Sequence, residues 1–348
     1  MSTDTFHGWA CAGKDQPLEW REFQLKTFED DDIEMDISHC GICGSDIHTL
    51  DSGWGPTEYP CVVGHEIVGV VTKVGKNVKQ FKVGDRAGVG AQSGSCQECD
   101  NCKNGSENLC QRKVVFTYND RWTTTNDKTF GGYANKWRGD NRFAFKVPDN
   151  MSNEIAATFF CAGVTTYAPL KRYGVTKGSK VGVIGLGGLG HFGTQFAKAM
   201  GAEVVVISSS DRKREDAKAL GCDDYVVSSD VEGMKKHAGT FTHILCCSFG
   251  NNFDWGLFLS SIAFNGHFIM VALPEEPLAG IPAGLLAVRQ VTIAGSFIGS
   301  PKDIEEMLQF AADTGVKPWI NKYPMKEAPA AVQAMRDGKA RYRIVLEN

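Results

Sequence analysis

Several things are missing from this 348-residue sequence. No apolar run approaches the ~20 residues that span a bilayer, so a helical membrane anchor is excluded and no membrane partner is expected. Neither sign of charge is in excess: Lys+Arg number 37 against Asp+Glu 41, a net charge of −4. That balance argues against nucleic acid as the main partner. Met1 to Gln16 lack a charged start followed by an apolar stretch, so no secretory signal is expected and a cytoplasmic location is. Internal repeats and low-complexity segments are lacking too. What is present is ordinary for a globular protein, 42% hydrophobic and 22% charged, with length for two domains of roughly 100–200 residues each. The anomaly is 12 cysteines. Disulfides do not persist in a reducing compartment, which makes metal ligation the first explanation to test.

The two halves of the chain differ in pattern. Up to about residue 160, short β-like runs such as Ile33–Ile37, Glu66–Val74 and Arg86–Gly90 are broken by glycine and charge. The acidic run Glu29 to Asp32 is expected to be a solvated turn. From about residue 178, strands and helices alternate. Lys180–Ile184 is apolar and β-branched, Gly188 to Met200 is helical in composition, and Glu203–Ser208 is again a buried strand. Asp211 to Leu220 reads as a helix capped by Gly221, and further strands are expected at His243–Cys247, Gly266–Ala272 and Val291–Phe297. Such alternation predicts a parallel sheet covered by helices on both faces. Ser300-Pro301-Lys302-Asp303 opens another helix, and Arg343–Leu346 is β-like again and is expected to return to the first domain.

Cys96-x2-Cys99-x2-Cys102-x7-Cys110 is the strongest chemical signal. Four thiolates this close can close a tetrahedral zinc site, and the polar turn-formers among them could not hold the lobe as a hydrophobic core. A nucleic-acid-binding zinc module is a competing reading, but basic residues are few here and stacking aromatics absent. Next come Cys43 in Gly-Ile-Cys-Gly-Ser-Asp-Ile-His (41–48) and His65 in Gly-His-Glu (64–66), each beside glycine, with a third candidate at Cys161. A soft thiolate and an imidazole suit a zinc site with room for substrate, whereas a lone Cys or His is more often part of a core. Gly185-Leu-Gly187-Gly188-Leu-Gly190 follows a strand and opens a helix, the context in which such glycines cradle a pyrophosphate. At the end of the next strand, where an NAD site wants a carboxylate, the chain reads Ser208-Ser209-Ser210-Asp211-Arg212-Lys213-Arg214. Hydroxyls and cations favour the 2′-phosphate of NADP, and Asp211 is the counter-evidence.

In this order, the motifs resemble those of the zinc-dependent medium-chain alcohol dehydrogenases, and SSSDRKRE and GSFIGS resemble the NADP-dependent cinnamyl alcohol dehydrogenase group. The resemblance covers essentially the whole chain. It implies an α/β protein: a β-rich GroES-like catalytic domain (1–162 and 299–348, with a structural zinc lobe near 93–113) and a Rossmann doubly wound parallel-sheet cofactor domain (163–298). It implies two zinc ions per chain, one held by Cys43, His65 and Cys161 with Glu66 close by, the other by Cys96, Cys99, Cys102 and Cys110. Ser45 and His48 match proton-relay positions working by way of the nicotinamide ribose, and Asp46 matches a position supporting His65. Thr165 lies where the family contacts the nicotinamide, while Gly185, Gly187, Gly188, Gly190, Ser208, Ser209, Arg212 and Lys213 match the rest of an NADP(H) site. Trp54, Gln92, Tyr118, Trp122, Phe297 and Ile298 are candidates for a hydrophobic pocket taking aromatic or medium-length aldehydes and the corresponding alcohols. Val291–Gly299 resembles a strand through which family members pair, which implies a homodimer. Two other readings stay open: a scaffold that binds NADP without catalysis, and an NAD-dependent alcohol dehydrogenase. The remaining six cysteines (Cys11, Cys40, Cys61, Cys222, Cys246, Cys247) are expected to be small buried hydrophobes.

Overall fold

The computed structural model describes residues 4–250 and 253–348. They divide into two compact units, one made of Met1–Val164, Ile298–Ala312 and Pro318–Asn348, the other of Thr165–Phe297 with Asp313–Lys317. Among the described residues no helix is long and apolar enough to cross a membrane.

The first unit is built on a mainly antiparallel sheet in the order Ala144–Lys146, Arg86–Val89, Glu66–Val74, Asp32–Ile42, Arg343–Glu347, Ile320–Pro324. Asp32–Ile42 is its central strand. It is buried along nearly its whole length, as Ile33, Met35, Ile37 and Ile42 require, and it also pairs with Lys136–Asp140. Glu66–Val74 runs beside it with Gly41 opposite Glu66 and Cys40 opposite Ile67, so the register of this pair sets the residues flanking Cys43 against His65. The pair bulges at Ile37/His39, where a Cβ on Gly69 would lie 2.2 Å from the Asp36 carbonyl oxygen. Arg343–Leu346 does return to this unit, pairing antiparallel with Asp32–Ile42. The acidic run is not wholly a solvated turn. Asp30 is exposed, but Asp32 is buried and takes a hydrogen bond from the Lys26 ammonium at 2.5 Å. A buried carboxylate needs such a partner, and composition alone hides it.

The second unit carries a parallel sheet in the order Asp224–Val227, Glu203–Ser208, Lys180–Ile184, Phe241–Cys246, Ile262–Met270, Thr292–Gly295. Chain order reverses beside Lys180–Ile184, the topological switch point at which doubly wound sheets bind ligands. The expected α/β combination is therefore present. The helix after the glycine motif runs Gly190–Ala199. Asp211–Lys213 is a 3₁₀ turn leading into the helix Arg214–Ala219, and Gly221 then takes a positive φ of 89°. In the first unit, Ser300 and Asp303 cap Pro301–Thr314 reciprocally: the Asp303 carboxylate accepts from the Ser300 N–H at 2.9 Å and the Ser300 hydroxyl from the Asp303 N–H at 3.2 Å.

Candidate active site

Cys43 ends the loop after the central strand, immediately before the helix Gly44–Leu50. The Asp46 carboxylate accepts the Cys43 N–H at 2.9 Å, which fixes the start of that helix and the direction of the thiol. His65 precedes the strand that begins at Glu66, and Cys161 lies between the short turn Thr158–Phe160 and the helix Ala162–Arg172. Ligand atoms of Cys43, His65, Glu66 and Cys161 all fall within 4.8 Å of one another, and all four residues are buried. The two sulfurs are 3.7 Å apart, close to the ~3.8 Å expected for two thiolates on one tetrahedral zinc. His65 Nε2 and Glu66 Oε2 are buried with no hydrogen-bond partner. A Cβ on Gly41 would lie 2.0 Å from that Oε2, so only glycine leaves room for the carboxylate.

The electrostatics also call for a cation. The hydrogen bond from Cys161 holds the Cys43 thiol well below its usual range against the opposing effect of burial, and the same bond pushes Cys161 far up. Burial pushes the Glu66 carboxyl up to about 7 although the Arg343 guanidinium opposes it. Soft thiolates, an imidazole with a bare ring nitrogen and a nearby carboxylate fit zinc.

The far side of the imidazole has two partners. His65 Nδ1 lies 2.8 Å from the Tyr118 hydroxyl and 3.5 Å from Asp46 Oδ1. Asp46 is itself held by the Cys43 N–H, by the Gly64 N–H at 3.2 Å and by the Tyr133 hydroxyl at 2.8 Å. Tyr118 therefore orients the ligand while stacking on its ring at 5.3 Å. Arg343 is buried against Glu66 Oε1, a partnership that sequence reasoning did not find.

In the lobe, Cys96, Cys99, Cys102 and Cys110 converge in the same way, with sulfur separations of 3.9 Å (Cys96–Cys102), 3.5 Å (Cys99–Cys102) and 3.9 Å (Cys99–Cys110). Of the remaining cysteines, Cys11, Cys40, Cys61 and Cys246 are buried, whereas Cys222 and Cys247 are only half-buried.

Ser45 and His48 stand one turn apart on the helix Gly44–Leu50. The Ser45 hydroxyl is 3.5 Å from the Cys43 sulfur, and the His48 ring stacks on Trp54 at 4.3 Å. Trp54 is 46% exposed, so this pair reaches the surface. Gln92 is buried, and its amide donates to the carbonyls of Gly94 and Glu107 at 3.0 and 2.8 Å. With Ile298, Phe145 and Phe160 it lines a small apolar cavity. Ile298 holds φ at 42°, a left-handed value that is costly for a β-branched residue. Trp122 lines a different small pocket, with Lys26, Phe130 and Trp137. It lies in the core beside Trp137, where a Cβ on Gly139 would meet both rings at 2.6 Å, and Lys26 covers it.

In the other unit, Gly185 takes φ 86°, a Cβ on Gly187 would meet nothing within 4 Å, and one on Gly190 would lie 1.8 Å from the Gly185 carbonyl oxygen. Open space above the turn and close packing below it fit a pyrophosphate at a helix N-terminus. Gly188 belongs to the same turn and Thr165 is buried in the helix Ala162–Arg172. Ser208 ends the strand and Ser209 follows it, Arg212 Nε donates to Ser210 Oγ at 3.3 Å, and Lys213 Nζ reaches the Leu186 carbonyl at 2.5 Å. Phe297, 36% exposed, ends the unit.

Two family profiles match the chain: the alcohol dehydrogenase GroES-like domain over residues 29–149 and the zinc-binding dehydrogenase over residues 188–313. Cinnamyl alcohol dehydrogenase 2 of Arabidopsis thaliana is 40% identical over 98% of this chain and 90% of that protein. The structure of a cinnamyl alcohol dehydrogenase from Sorghum bicolor matches with a TM-score of 0.94 at 36% identity, covering 99% of this chain and 97% of that one. The structure of CAD from Helicobacter pylori complexed with NADP(H) matches with a TM-score of 0.90 at 35% identity, covering 99% and 98%. The buried thiolate–imidazole set, the four-cysteine lobe and these full-length likenesses agree, and the chain belongs to the zinc-binding alcohol dehydrogenase family of oxidoreductases.

Proposed function

We propose that the protein transfers a hydride between NADP(H) and primary alcohols or aldehydes, chiefly reducing aromatic (cinnamyl-type) and medium-chain aldehydes, with two zinc ions per chain. The observation that carries this reading is the buried convergence of Cys43, His65, Glu66 and Cys161 on one point. When bound, zinc supplies Lewis acidity toward the substrate oxygen and the nicotinamide supplies the hydride. The chain's own contributions follow from its geometry. Cys43, His65 and Cys161 hold the metal, and Tyr118 keeps the imidazole aimed. Ser45, beside the Cys43 sulfur, holds a proton within reach of the reacting oxygen, and His48 exchanges it with solvent along the Trp54 face. Cys96, Cys99, Cys102 and Cys110 hold the second metal as a structural closure.

The cofactor assignment is supported by Ser208 standing where an NAD site would have a carboxylate, by Ser209, Arg212 and Lys213 beside it, and by the NADP(H) complex of the Helicobacter pylori relative. Thr165 and the four glycines complete the proposed dinucleotide site. Trp54 and Ile298 supply aromatic and apolar surface for the substrate. Homodimer formation is supported by the open edge strand Thr292–Gly295, with Val288 and Phe264 exposed by 75% and 68% on neighbouring elements. A cytoplasmic location suits two clusters of reduced thiolates.

The test is oxidation of NADPH and NADH with a panel of aliphatic, benzyl and cinnamyl aldehydes, alongside zinc quantified per chain. Turnover with NADPH, a higher kcat/KM for it than for NADH, and two zinc ions are expected. A preference for NADH would leave an NAD-dependent alcohol dehydrogenase, and binding without turnover would leave a scaffold.

A further inference from the structure

Asp211 is the residue that argues against a 2′-phosphate. A carboxylate in the turn after the second strand of such a sheet suits a ribose diol and repels a phosphate ester. In this chain that carboxylate is already engaged. Asp211 Oδ1 accepts from Arg214 Nε at 2.7 Å. Arg214 is held in turn: its guanidinium lies 4.8 Å over the Tyr225 ring, and its Nη1 donates to the Tyr225 carbonyl at 3.0 Å. Tyr225 is 5% exposed on the strand Asp224–Val227, and its hydroxyl donates to the Ser210 carbonyl at 2.5 Å. The four residues close a ring of contacts around the turn. Arg212 joins that ring only through the Ser210 hydroxyl, at 3.3 Å, and Lys213 reaches the glycine turn at the Leu186 carbonyl.

We propose that Tyr225 and Arg214 form a bracket that keeps Asp211 in an internal ion pair, and that this bracket sets the preference for a 2′-phosphorylated dinucleotide. The inference rests on the NADP(H) reading given above. Asp211 and Arg214 are both largely solvated, so their pairing adds little to stability. Its consequence is directional: one negative charge is neutralised and turned aside where a doubly charged phosphate would sit, while Tyr225 fixes the backbone from which Ser208 to Ser210 present their hydroxyls. Arg214 and Tyr225 are thus positioning residues for specificity.

Calorimetric titration of the full-length, zinc-loaded protein with 2′,5′-ADP and with 5′-AMP reads the phosphate subsite without turnover. Wild type is expected to prefer 2′,5′-ADP. If it does not, the NADP(H) reading itself falls. If it does, Arg214→Met should weaken 2′,5′-ADP by about tenfold, the scale of one like-charge contact largely screened by water, and leave 5′-AMP within about twofold. Adding Asp211→Asn to that variant should restore most of the loss, because the released carboxylate is what does the damage. Asp211→Asn alone should bind 2′,5′-ADP at least as well as wild type. Tyr225→Phe, which keeps the ring but not the hydroxyl, should lose about threefold, the value of one neutral hydrogen bond. Three results would overturn the bracket: no selective change in Arg214→Met, a loss that Asp211→Asn fails to rescue (Arg214 would then touch the phosphate itself), or a loss in Asp211→Asn alone.

Discussion

Single hydroxyls and ring nitrogens decide much of this site's behaviour. His65 has one nitrogen free toward the thiolates and the other 2.8 Å from Tyr118. Removing that phenol oxygen leaves only Asp46, 3.5 Å away, to hold the Nδ1 side of the ring while its packing survives. Tyr118→Phe is therefore expected to lower affinity at the Cys43–His65–Cys161 site by about 10–100-fold. Chelator challenge with metal analysis should find one zinc released faster and the lobe zinc retained; unchanged release would refute the role. A second residue-scale prediction concerns pH. Burial holds the His243 imidazole below the usual 6.5, and its Nε2–H donates to the Tyr173 carbonyl at 2.8 Å, which fixes the neutral tautomer. The unfolded chain then binds that proton at a higher pH than the folded one. Stability is unaffected above about 6.5 and falls as pH drops from there toward the folded value. Urea titrations from pH 7.5 to 5.5 should find a smaller loss in His243→Asn than in wild type, and equal losses would count against it. Residues of this kind were not legible in the sequence. Tyr118 lies 53 positions from His65 and Arg343 lies 277 from Glu66, with no local spacing to betray either. Cys43, His65 and Cys161 were legible because glycines and fixed neighbours frame them.

Elements obey stronger local rules, and more of them could be read in advance. Lys180–Ile184 and Glu203–Ser208 fall where β-branched runs put them, since a strand buried on both faces leaves little choice of residue. The helix after the glycine turn begins at Gly190, where strand and helix approach too closely for any side chain. Gly190→Ala, whose Cβ would lie 1.8 Å from the Gly185 carbonyl oxygen, is expected to push the turn open. A fall in Tm of several degrees together with loss of dinucleotide binding would accord with this; wild-type values for both would refute it. What escaped the element-level reading was which face a long apolar side chain occupies. Trp122 is part of the core with Trp137, and nothing in its neighbouring sequence distinguishes that from a pocket wall.

At the scale of the whole molecule, the lobe between Cys96 and Cys110 has almost no apolar filling, and Leu109 is 47% exposed. Metal there is the substitute for a core, so Cys110→Ser should drop zinc from two to one per chain and lower Tm by several degrees. Metal analysis and a thermal melt on the same sample check both, and a full zinc complement would refute it. Strand composition announced the two-unit division, but the order of strands in the first sheet could not be read, because pairing across hundreds of residues leaves no periodic trace. That order has a consequence for synthesis. Residues 343–347 lie between Asp32–Ile42 and Ile320–Pro324, and Arg343 reaches Glu66 from there. Residues 343–347 are made after every other strand of that sheet, so Glu66 lacks the Arg343 guanidinium until synthesis has reached them. The carboxylate beside Cys43 and Cys161 is therefore left uncompensated until its most sequence-distant partner is in place.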